Sequence, residues 1–327
     1  MPDFFSEARL GRAYLETYYP SQFDEEAFHM ALVAIDRQSR SGQSTLDVEA
    51  FSVQYRLAHA VVENASILFH LSSIASVVAK AWQGRRVSVL DVGGGPTLYQ
   101  HIPISLIADV IIHAEPLEEN RVEVLQYLRQ EPGAYDWSAY FRAVGRYIKQ
   151  GENFSVLSKK LTEISAAIPS GANLSLEGAW RILVTDLIGT RVIPCDAFSQ
   201  DLELGTGTDV ERVLRDTEVT EGASLVESNF LLESATDSIE EWQTGLDMLT
   251  RRVAPGGFLS MMAIRNARWY LSGNEKVPAV PVDEVFLQKE LERRLFSLIQ
   301  VRVLTGSDQK TFGYDGMVFV LARKNMP

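Results

Sequence analysis

Three consecutive glycines at residues 93–95 follow an apolar, β-branched segment, and they constrain the fold more than any other feature of the sequence. Residues 87–99 read VSVLDVGGGPTLY, so that a strand runs to Asp91 and then breaks. A turn at the carboxyl end of a strand uses glycine because glycine adopts positive φ and lets a ligand approach the backbone. Pro96 suits the first turn of a following helix. We predict a strand, a glycine turn and a helix at the ligand-binding edge of an open α/β sheet.

Strand and helix patterns alternate after this segment. This alternation is typical of a mostly parallel sheet that helices cover on both faces. The last two strands, which a polar loop joins, predict a closing antiparallel hairpin. The seven predicted strands are at residues 87–91, 109–115, 191–197, 223–229, 258–264, 299–304 and 317–322. The predicted helices between them are at residues 97–107, 117–130, 157–168, 238–252 and 282–296.

The first 83 residues have a different pattern from the rest. Their apolar residues recur at helical spacing, and no alternation of period two is evident. Residues 39–45 are predicted to form a loop between helices. We predict an N-terminal helical lid over residues 1–83 and an α/β core over residues 84–327, with a helical insertion at about 151–180.

Charge and composition exclude several classes of partner. The net charge is -12 and the sequence pI is about 5.0, which argues against nucleic acid and anionic membranes. The single cysteine, Cys195, fits a reducing compartment, and no secretory segment is visible at the start. The apolar run at residues 65–79 is interrupted by His70 and several serines, which predicts a buried helix and not a membrane span. We expect a cytoplasmic protein, and the apolar helix leaves a homodimer open.

Three kinds of nucleotide-binding loop compete for the glycine segment. A phosphate-binding P-loop needs a Lys after its glycines, and none follows here. A dinucleotide fold needs a third glycine where this chain has Leu98, which disfavours a NAD-dependent dehydrogenase. The adenosyl-binding loop of methyltransferases that use S-adenosylmethionine (SAM) remains. There, acids that end the second and third strands meet the ribose and the adenine, and Glu115 and Asp196 occupy those positions. For Glu115 the alternative is a surface acid that caps the next helix.

Longer motifs add a specific resemblance. They read RAYLETYYP at residues 12–20, GPTLYQ at 95–100, LEENR at 117–121, EPGAYDWS at 131–138, FLLESA at 230–235, PGGF at 255–258, WYLSG at 269–273 and VPV at 280–282. In these motifs the chain resembles the nicotinamide, phenylethanolamine and thioether methyltransferase family, and several are closest to the phenylethanolamine branch. The motifs are ordered and spread over nearly the whole chain.

The resemblance implies the class I methyltransferase fold, with a Rossmann-like, mostly parallel sheet, and SAM as the cofactor. It implies methyl transfer to a small-molecule acceptor, at an amine or N-heterocycle nitrogen. In the family pattern, tyrosines close over the methionine end of SAM, the second-strand acid and a following Asn hold the ribose, and the third-strand acid meets the adenine. The cofactor-binding residues that the resemblance implies are Tyr14, Tyr19, Gly93, Gly95, Thr97, Tyr99, Glu115, Asn120, Asp196, Ala197, Asn229 and Ala235.

The resemblance also implies acceptor-side roles. Glu233 matches the substrate-facing acid of the phenylethanolamine branch, where a carboxylate orients the amine or takes its proton. Its alternative is a charge at the start of the next helix. Tyr18, Trp269 and Tyr270 are expected to wall the acceptor, with core packing as their alternative. Arg265 is expected to bind a substrate carboxylate, with a solvated surface arginine as its alternative.

Departures from the family pattern fall on the acceptor side. Residues 263–268 contain no acid, the tyrosine segment lies far ahead of the glycines, and the insertion at about 151–180 is unmatched. These departures predict an acceptor other than either namesake amine. A thioether such as methionine is the runner-up, since sulfur needs no general base, and a catalytically inactive binding protein is the outside alternative. The five histidines lack the spacing of metal ligands, so no metal is predicted.

Overall fold

The computed structural model describes residues 11–19, 24–82, 85–150, 155–167, 190–193, 222–272, 275–306 and 313–326. Its helices are α1 (Gly11–Tyr18), α2 (Glu25–Arg40), α3 (Val48–Tyr55), α4 (His59–Ala81), α5 (His101–Ser105), α6 (Glu118–Leu128), α7 (Ser138–Gln150), α8 (Ser155–Ala167), α9 (Leu232–Ala235), α10 (Ile239–Arg251) and α11 (Glu284–Arg293). Its strands are β1 (Thr45–Asp47), β2 (Ser88–Val92), β3 (Val110–Ala114), β4 (Arg191–Ile193), β5 (Ala223–Asn229), β6 (Val253–Arg265), β7 (Trp269–Ser272), β8 (Glu275–Pro278), β9 (Phe296–Thr305) and β10 (Gly316–Lys324).

One sheet of eight strands organises the protein, in the order β1-β9-β10-β6-β5-β2-β3-β4. The strands from β6 to β4 in this order pair in parallel, and β10 runs antiparallel to both β6 and β9. The mostly parallel sheet with a closing antiparallel hairpin confirms the predicted fold class. Because β2 lies at the point where the strand order reverses, the turn after it opens into the crevice where such sheets bind ligands.

Two pairings were not predicted. β1 adds an eighth strand in parallel to β9, with Thr45 opposite Val303, and it begins at the last residue of the predicted loop at 39–45. Three residues are too short to show a period of two, so its pattern carries no strand signal. A separate antiparallel pair, β7 with β8, places Trp269 opposite Pro278.

The helix after the glycine turn is shorter than predicted. α5 begins at His101, although Pro96 and Thr97 were expected to lie in its first turn. The Thr97 hydroxyl donates to the Gly94 carbonyl at 2.6 Å and lies 2.6 Å from Oε1 of Gln100. These bonds hold the intervening residues in turns, which extends the loop that a ligand meets.

Apolar residues on alternate positions of the strands cover the two faces of the sheet separately. Val89, Ile111 and Leu225 face one hydrophobic cluster, which also contains residues of α2, α4 and α7. Their neighbours Leu90, Ile112 and Val226 face the other cluster, which contains residues of α10 and α11. This arrangement follows from the opposite directions of successive side chains in a strand.

α4 packs along the first face of the sheet. It is the helix in the described part of the chain that is long and apolar enough to cross a membrane, and 78% of its most apolar window is buried inside the protein. The ring of His70 lies 5.1 Å from that of Phe319, and the ring of Trp82 lies 6.2 Å from that of Phe258. The burial expected for residues 65–79 is therefore explained by contact with the sheet, as in a core helix.

Candidate active site

A cavity of about 300 Å³ opens at the carboxyl ends of β2, β3, β5 and β6. Many of the residues predicted to bind the cofactor line it, and so does one residue predicted to contact the acceptor. They are Tyr14, Tyr19, Gly93, Gly95, Thr97, Tyr99, Glu115, Asn120, Asn229, Ala235 and Tyr270. Asp196 and Ala197 lie outside the described residues, and Tyr18 lies in α1 with a side chain that is outside the described part.

Backbone geometry and close packing explain why the turn uses glycine. Gly93 has φ of 67°, and its N–H donates to the Ala114 carbonyl at 2.7 Å. Gly94 packs so closely on the residues beneath it that a Cβ there would lie 2.2 Å from Oδ2 of Asp91. The loop can therefore hold its position over the sheet only with glycine at these places.

Glu115 ties the glycine loop to the segment after β3. One carboxylate oxygen accepts from the N–H of Gly95 at 3.0 Å, and the other accepts from the N–H of Leu117 and from Nδ2 of Asn120, both at 3.0 Å. Its side chain is only 3% exposed, and burial raises the pKa of Glu115 although these three donors oppose the shift. Glu115 therefore faces the cavity as an acceptor that its own loop holds in place.

A buried cluster of Asp91, Gln100, His101 and His113 supports the loop from below. Oδ2 of Asp91 accepts from Nε2 of His101 at 2.7 Å and from Nδ1 of His113 at 2.8 Å. Nε2 of His113 lies 3.1 Å from the Gly95 carbonyl, so both ring nitrogens of His113 face acceptors and the doubly protonated ring satisfies both. Burial acts to lower the pKa of His113, but the bond and charge of Asp91 outweigh it and raise that pKa.

The same cluster bears on the expectation that no metal is bound. The ligand atoms of Asp91, His101 and His113 lie within 4.8 Å of one another, so that among the described residues this group could hold an ion. Residues 101 and 113 are scattered in the sequence, and pairing of β2 with β3 sets Asp91 opposite His113. One Asp91 oxygen lies within hydrogen-bonding distance of both rings, so hydrogen bonds join the three groups in this arrangement.

Aromatic side chains close the cavity above the glycine loop. The Tyr19 hydroxyl donates to the Tyr99 hydroxyl at 3.1 Å, and the two rings lie 4.9 Å apart. The rings of Trp137 and Tyr14 lie 5.5 Å and 6.3 Å from that of Tyr19. Burial raises the pKa of Tyr14, Tyr19 and Tyr99, so the three hydroxyls stay protonated well above physiological pH.

Glu233, the predicted acceptor-side acid, lies directly behind the lining residues Ser234, Ala235 and Ile264. Its side chain is 1% exposed, and Oε1 accepts from the N–H of Ile264 at 2.9 Å. Burial raises the pKa of Glu233 to about 7, against a smaller opposing effect of that hydrogen bond. The charge of Glu233 also acts on Tyr14, which lines the cavity.

Arg265 and Trp269, which were also predicted to contact the acceptor, are not among the residues that line the cavity. The guanidinium of Arg265 bonds to Glu284 and to Asp315, each at 2.8 Å. Nζ of Lys276 lies 3.9 Å from the centre of the Trp269 ring, in the β7–β8 pair. The expectation that Arg265 binds a substrate carboxylate stays a prediction, which this pairing with two carboxylates does not favour.

The prediction missed a set of lining residues from α4. They share one helical face near the start of the helix, at positions 59, 60, 63, 64 and 67. Helical spacing could have placed these residues on one face, but nothing in the sequence indicates that this face meets the cavity. Tyr314 and Met317, at the start of β10, were also missed.

Polar atoms at the cavity test whether the residues present fit SAM. Nδ2 and Oδ1 of Asn229 and Oδ1 of Asn120 are buried without a hydrogen-bond partner, and both residues line the cavity. Buried polar groups are normally paired, so these atoms fit a ligand that offers both donors and acceptors. A Cβ at Gly95 would have no atom within 4 Å, so the space beside this residue is open. The residues therefore fit the hydroxyl, amino and carboxylate groups of an adenosyl amino acid.

The charged side chains that line the cavity all carry the same sign. Glu63 and Glu115 are acidic, and none of the described residues that line the cavity is Lys or Arg. These acidic side chains favour a positively charged group beside them.

Comparison of the sequence with known proteins identifies a family. The sequence model of the NNMT/PNMT/TEMT family matches residues 43–168 and 188–325. Phenylethanolamine N-methyltransferase of Macaca mulatta is 28% identical over 72% of this chain and 73% of that protein. Indolethylamine N-methyltransferase of Mus musculus is 24% identical over 81% of this chain and 86% of that protein.

Solved structures were also compared. Magnesium protoporphyrin IX methyltransferase from Synechocystis PCC 6803, with bound SAM, overlaps 81% of this chain and 83% of its own at a TM-score of 0.44 and 11% identity. An overlap of this quality adds nothing to what the strand order shows.

Proposed function

This chain belongs to the NNMT/PNMT/TEMT family, and from that membership we propose that it transfers a methyl group from SAM to an amine nitrogen of a small molecule. The cavity carries the proposal, because it sets a glycine loop, the rigidly held carboxylate of Glu115 and unpaired amides at the ligand edge of the sheet. SAM supplies a methyl group that its sulfonium charge makes electrophilic.

We propose that the chain holds the cofactor at the β2–β3 end of the cavity. Glu115 and Asn120 would bind the ribose, and the glycine loop with Thr97 would face the methionine end under Tyr14, Tyr19 and Tyr99. Asn229 and Ala235 would border the methyl group, and Asp196 with the Ala197 backbone would meet the adenine. Well-oriented reacting groups gain about 7–11 kcal/mol from alignment, so holding these groups rigid supplies much of the catalysis.

The charge of the wall supports an amine as the acceptor. Glu63 and Glu115 line the cavity and no described lining residue is Lys or Arg, which suits the positive charge of a protonated amine. Arg265 is already bonded to Glu284 and Asp315. The related enzymes are N-methyltransferases by name, and thioether methylation is not favoured.

We propose Glu233 as the group that takes the acceptor's proton. An amine attacks only in its neutral form, and a general base works best when its pKa is near the working pH. The pKa of Glu233 is raised to about 7 by burial, and its neighbours Ser234 and Ala235 line the cavity. Trp269 and Tyr18 stay proposed as outer walls of the acceptor site, with Tyr270 at the cavity itself.

The remaining expectations are also part of the proposal. We propose that residues 1–83 act as a lid on a core of residues 84–327, since Tyr14, Tyr19 and the first turns of α4 line the cavity and would shield it from water. The single cysteine supports a cytoplasmic enzyme, the charge of -12 supports the absence of a nucleic-acid or membrane partner, and a homodimer stays a prediction.

Transfer of labelled methyl from SAM to a panel of amines, N-heterocycles and thioethers tests the proposal, with Glu233→Gln alongside. We expect an amine product and at least about a hundredfold loss of kcat in Glu233→Gln. Turnover of a thioether alone, or of an amine at an unchanged rate in Glu233→Gln, would contradict the reaction or the role respectively. Binding of S-adenosylhomocysteine by both proteins is the control for folding.

A further inference from the structure

We propose that Arg12 is a positioning residue, which holds the tyrosines of α1 over the cofactor and must release Glu123 and the Gly133 carbonyl before the cofactor can leave. The inference rests on the proposed function, since it takes the ligand at the glycine loop to be SAM or its product S-adenosylhomocysteine. It also gives a role to the EPGAYDWS motif at residues 131–138, which the proposed function does not use.

Arg12 joins α1 to two other parts of the protein. Its Nε and Nη2 donate to the two carboxylate oxygens of Glu123 on α6, at 3.3 Å and 3.0 Å, and Nη2 also donates to the Gly133 carbonyl at 2.5 Å. The central carbon of its guanidinium lies 5.6 Å from the centre of the Tyr135 ring. A bidentate pair fixes orientation as well as distance, so Arg12 holds the first turn of α1 against α6 and residues 131–138.

The other end of α1 packs on the same motif. The ring of Tyr19 lies 5.5 Å from that of Trp137, which in turn lies 4.7 Å from the ring of Tyr135. The N–H of Tyr19 donates to the carbonyl of Leu15 at 2.7 Å, and the Leu15 side chain is fully buried. Residues 131–138 therefore contact α1 near both of its ends and form a surface on which it packs.

This packing places α1 above the proposed cofactor site. Tyr14, between the two ends of the helix, lines the cavity together with Tyr19, and the Tyr19 hydroxyl donates to that of Tyr99. On α6, Glu123 lies three residues after Asn120, which lines the cavity on the side proposed for the ribose. A molecule held between the glycine loop and Asn120 is then covered by α1, and its departure requires α1 to move.

The bonds of Arg12 suit a contact that opens and closes. The side chain of Arg12 is 36% exposed and that of Glu123 is 13% exposed, so water can replace both partners when the contact opens. Salt screens an ion pair at this exposure, so its strength can be varied in the intact protein without substitution. Salt and substitution of Arg12 should therefore act on the same step.

The dissociation rate of S-adenosylhomocysteine tests this role. Radiolabelled S-adenosylhomocysteine is bound to the protein and then chased with an excess of the unlabelled compound. Arg12→Ala should raise the rate at least about tenfold, since hydrogen bonds to charged groups are worth about that factor or more. Glu123→Gln should raise it about threefold, because the bond to Gly133 remains. About 1 M KCl should raise the wild-type rate about threefold and leave the rate of Arg12→Ala unchanged.

Arg142→Ala is the matched control. It removes a comparable pair, in which Nε of Arg142 donates to Glu25 at 2.9 Å and links α7 to α2, and neither residue is among those that line the cavity. Its dissociation rate should stay within about twofold of the wild-type rate. Urea unfolding of the ligand-free protein should give Arg12→Ala and Arg142→Ala the same midpoint, which shows that the fold is intact.

Two further variants separate positioning from a general loss of stability. Arg12→Lys keeps the charge without the fork of donors, so it should restore part of the slow dissociation. Glu123→Gln added to Arg12→Ala should change the rate no further, since the two residues act through one contact.

A wild-type rate in Arg12→Ala, or an equal increase in Arg142→Ala, would overturn the role of Arg12 and leave the methyl-transfer proposal standing. A salt effect that persists in Arg12→Ala would overturn it as well. A wild type that binds no S-adenosylhomocysteine would overturn the proposed function, and the inference with it.

Discussion

The two ends of the cavity are built in different ways. At the cofactor end, residues 91–120 supply the glycine loop, Glu115 and Asn120, and short-range hydrogen bonds join them into one network. At the acceptor end, the lining comes from α4, from the end of β6 with β7, and from the start of β10. These segments are distant in sequence and meet only because the sheet and α4 bring them together.

This difference predicts what substitutions do at each end. A change at the cofactor end breaks hydrogen bonds that position its neighbours, so it should lower both stability and cofactor affinity. A change at the acceptor end alters a wall that packing holds, so it should alter selectivity or rate at nearly constant cofactor affinity. The predictions below test that division, from the largest expected effect to the smallest.

Glu115→Ala should have the largest effect. The change leaves the N–H groups of Gly95 and Leu117 and the amide of Asn120 without their acceptor. Each buried donor left unpaired costs about 1–3 kcal/mol, so we expect an unfolding free energy lower by about 4 kcal/mol. The affinity for S-adenosylhomocysteine should fall by at least about a hundredfold. Urea unfolding and calorimetric titration measure the two effects.

Glu119→Ala is the matched control for this change. Glu119 lies in the first turn of α6 and is exposed. Its loss should cost only a few tenths of a kcal/mol through the helix dipole, about 0.5 kcal/mol at most. If Glu115→Ala kept its affinity while Glu119→Ala lost it, the cofactor end would not be organised around Glu115.

Glu233→Gln should change the pH dependence of stability at the acceptor end. A carboxyl whose pKa is raised to about 7 on folding keeps its proton between about pH 4.5 and 7, where the unfolded chain releases it. Wild-type stability should therefore fall as the pH rises through this window, by about 3 kcal/mol. The glutamine variant lacks this decrease, so it should be the more stable protein at pH 8 although it loses activity.

Chemical denaturation at pH 5 and pH 8 tests this difference in the pH dependence of stability. The difference in unfolding free energy between variant and wild type should grow with pH, and S-adenosylhomocysteine should bind both equally. A parallel pH dependence of the two proteins would mean that Glu233 ionises as it does in water, and would remove the reason to regard it as a base.

Neighbouring glycines at the cofactor end should respond differently to alanine. In Gly94→Ala the new methyl would lie 2.2 Å from Oδ2 of Asp91 and 2.7 Å from Cε1 of His113, so a buried cluster must move. We expect a loss of about 2 kcal/mol, as for other overpacked sites. Gly95→Ala meets no atom within 4 Å and has φ of 65°, so it should cost only about 1 kcal/mol of backbone strain. Thermal unfolding that ranks the two in the reverse order would contradict this packing.

The glycine loop and the carboxylate that holds it were largely predictable because their residues are close in sequence and serve one chemical need. Gly93, Gly95 and Glu115 could be placed from a strand, a turn and the end of the next strand. The α4 face carries no motif, since any helix shows such a spacing. Its contact with the cavity depends on the tertiary structure. Arg265 appeared available to a substrate because its partner Asp315 lies 50 residues away in the chain.

The support beneath the loop was unpredictable for the same reason. Only strand register brings His113 to Asp91, and only the short α5 turns His101 towards the same oxygen. β1 was missed because three residues cannot display a period. Local pattern thus identifies the residues proposed to bind the cofactor, whereas tertiary packing decides what supports them and what faces the proposed acceptor site.

His113→Gln should have the smallest effect, and it shows whether the cofactor end is sensitive to pH. The pKa of His113 is raised because the bond and charge of Asp91, with smaller contributions from Glu115 and the Gly95 carbonyl, outweigh burial. His101 opposes the charge from within the cluster, and Glu227 faces Asp91 from β5 with a pKa that burial raises well above its usual value. A raised histidine pKa stabilises the fold fully below about pH 6.5, and this stabilisation is lost as the pH rises through the folded-state pKa.

Deprotonation of His113 removes one hydrogen bond to Asp91 or Gly95, so the affinity for S-adenosylhomocysteine should fall by about 1 kcal/mol towards alkaline pH in the wild type. Calorimetric titration from pH 6 to pH 9 should show this decrease in the wild type and in His59→Gln, whose change is at the acceptor end, and a flat profile in His113→Gln. A wild-type affinity that is constant over this range would mean that the glycine loop keeps its position without the charge on His113.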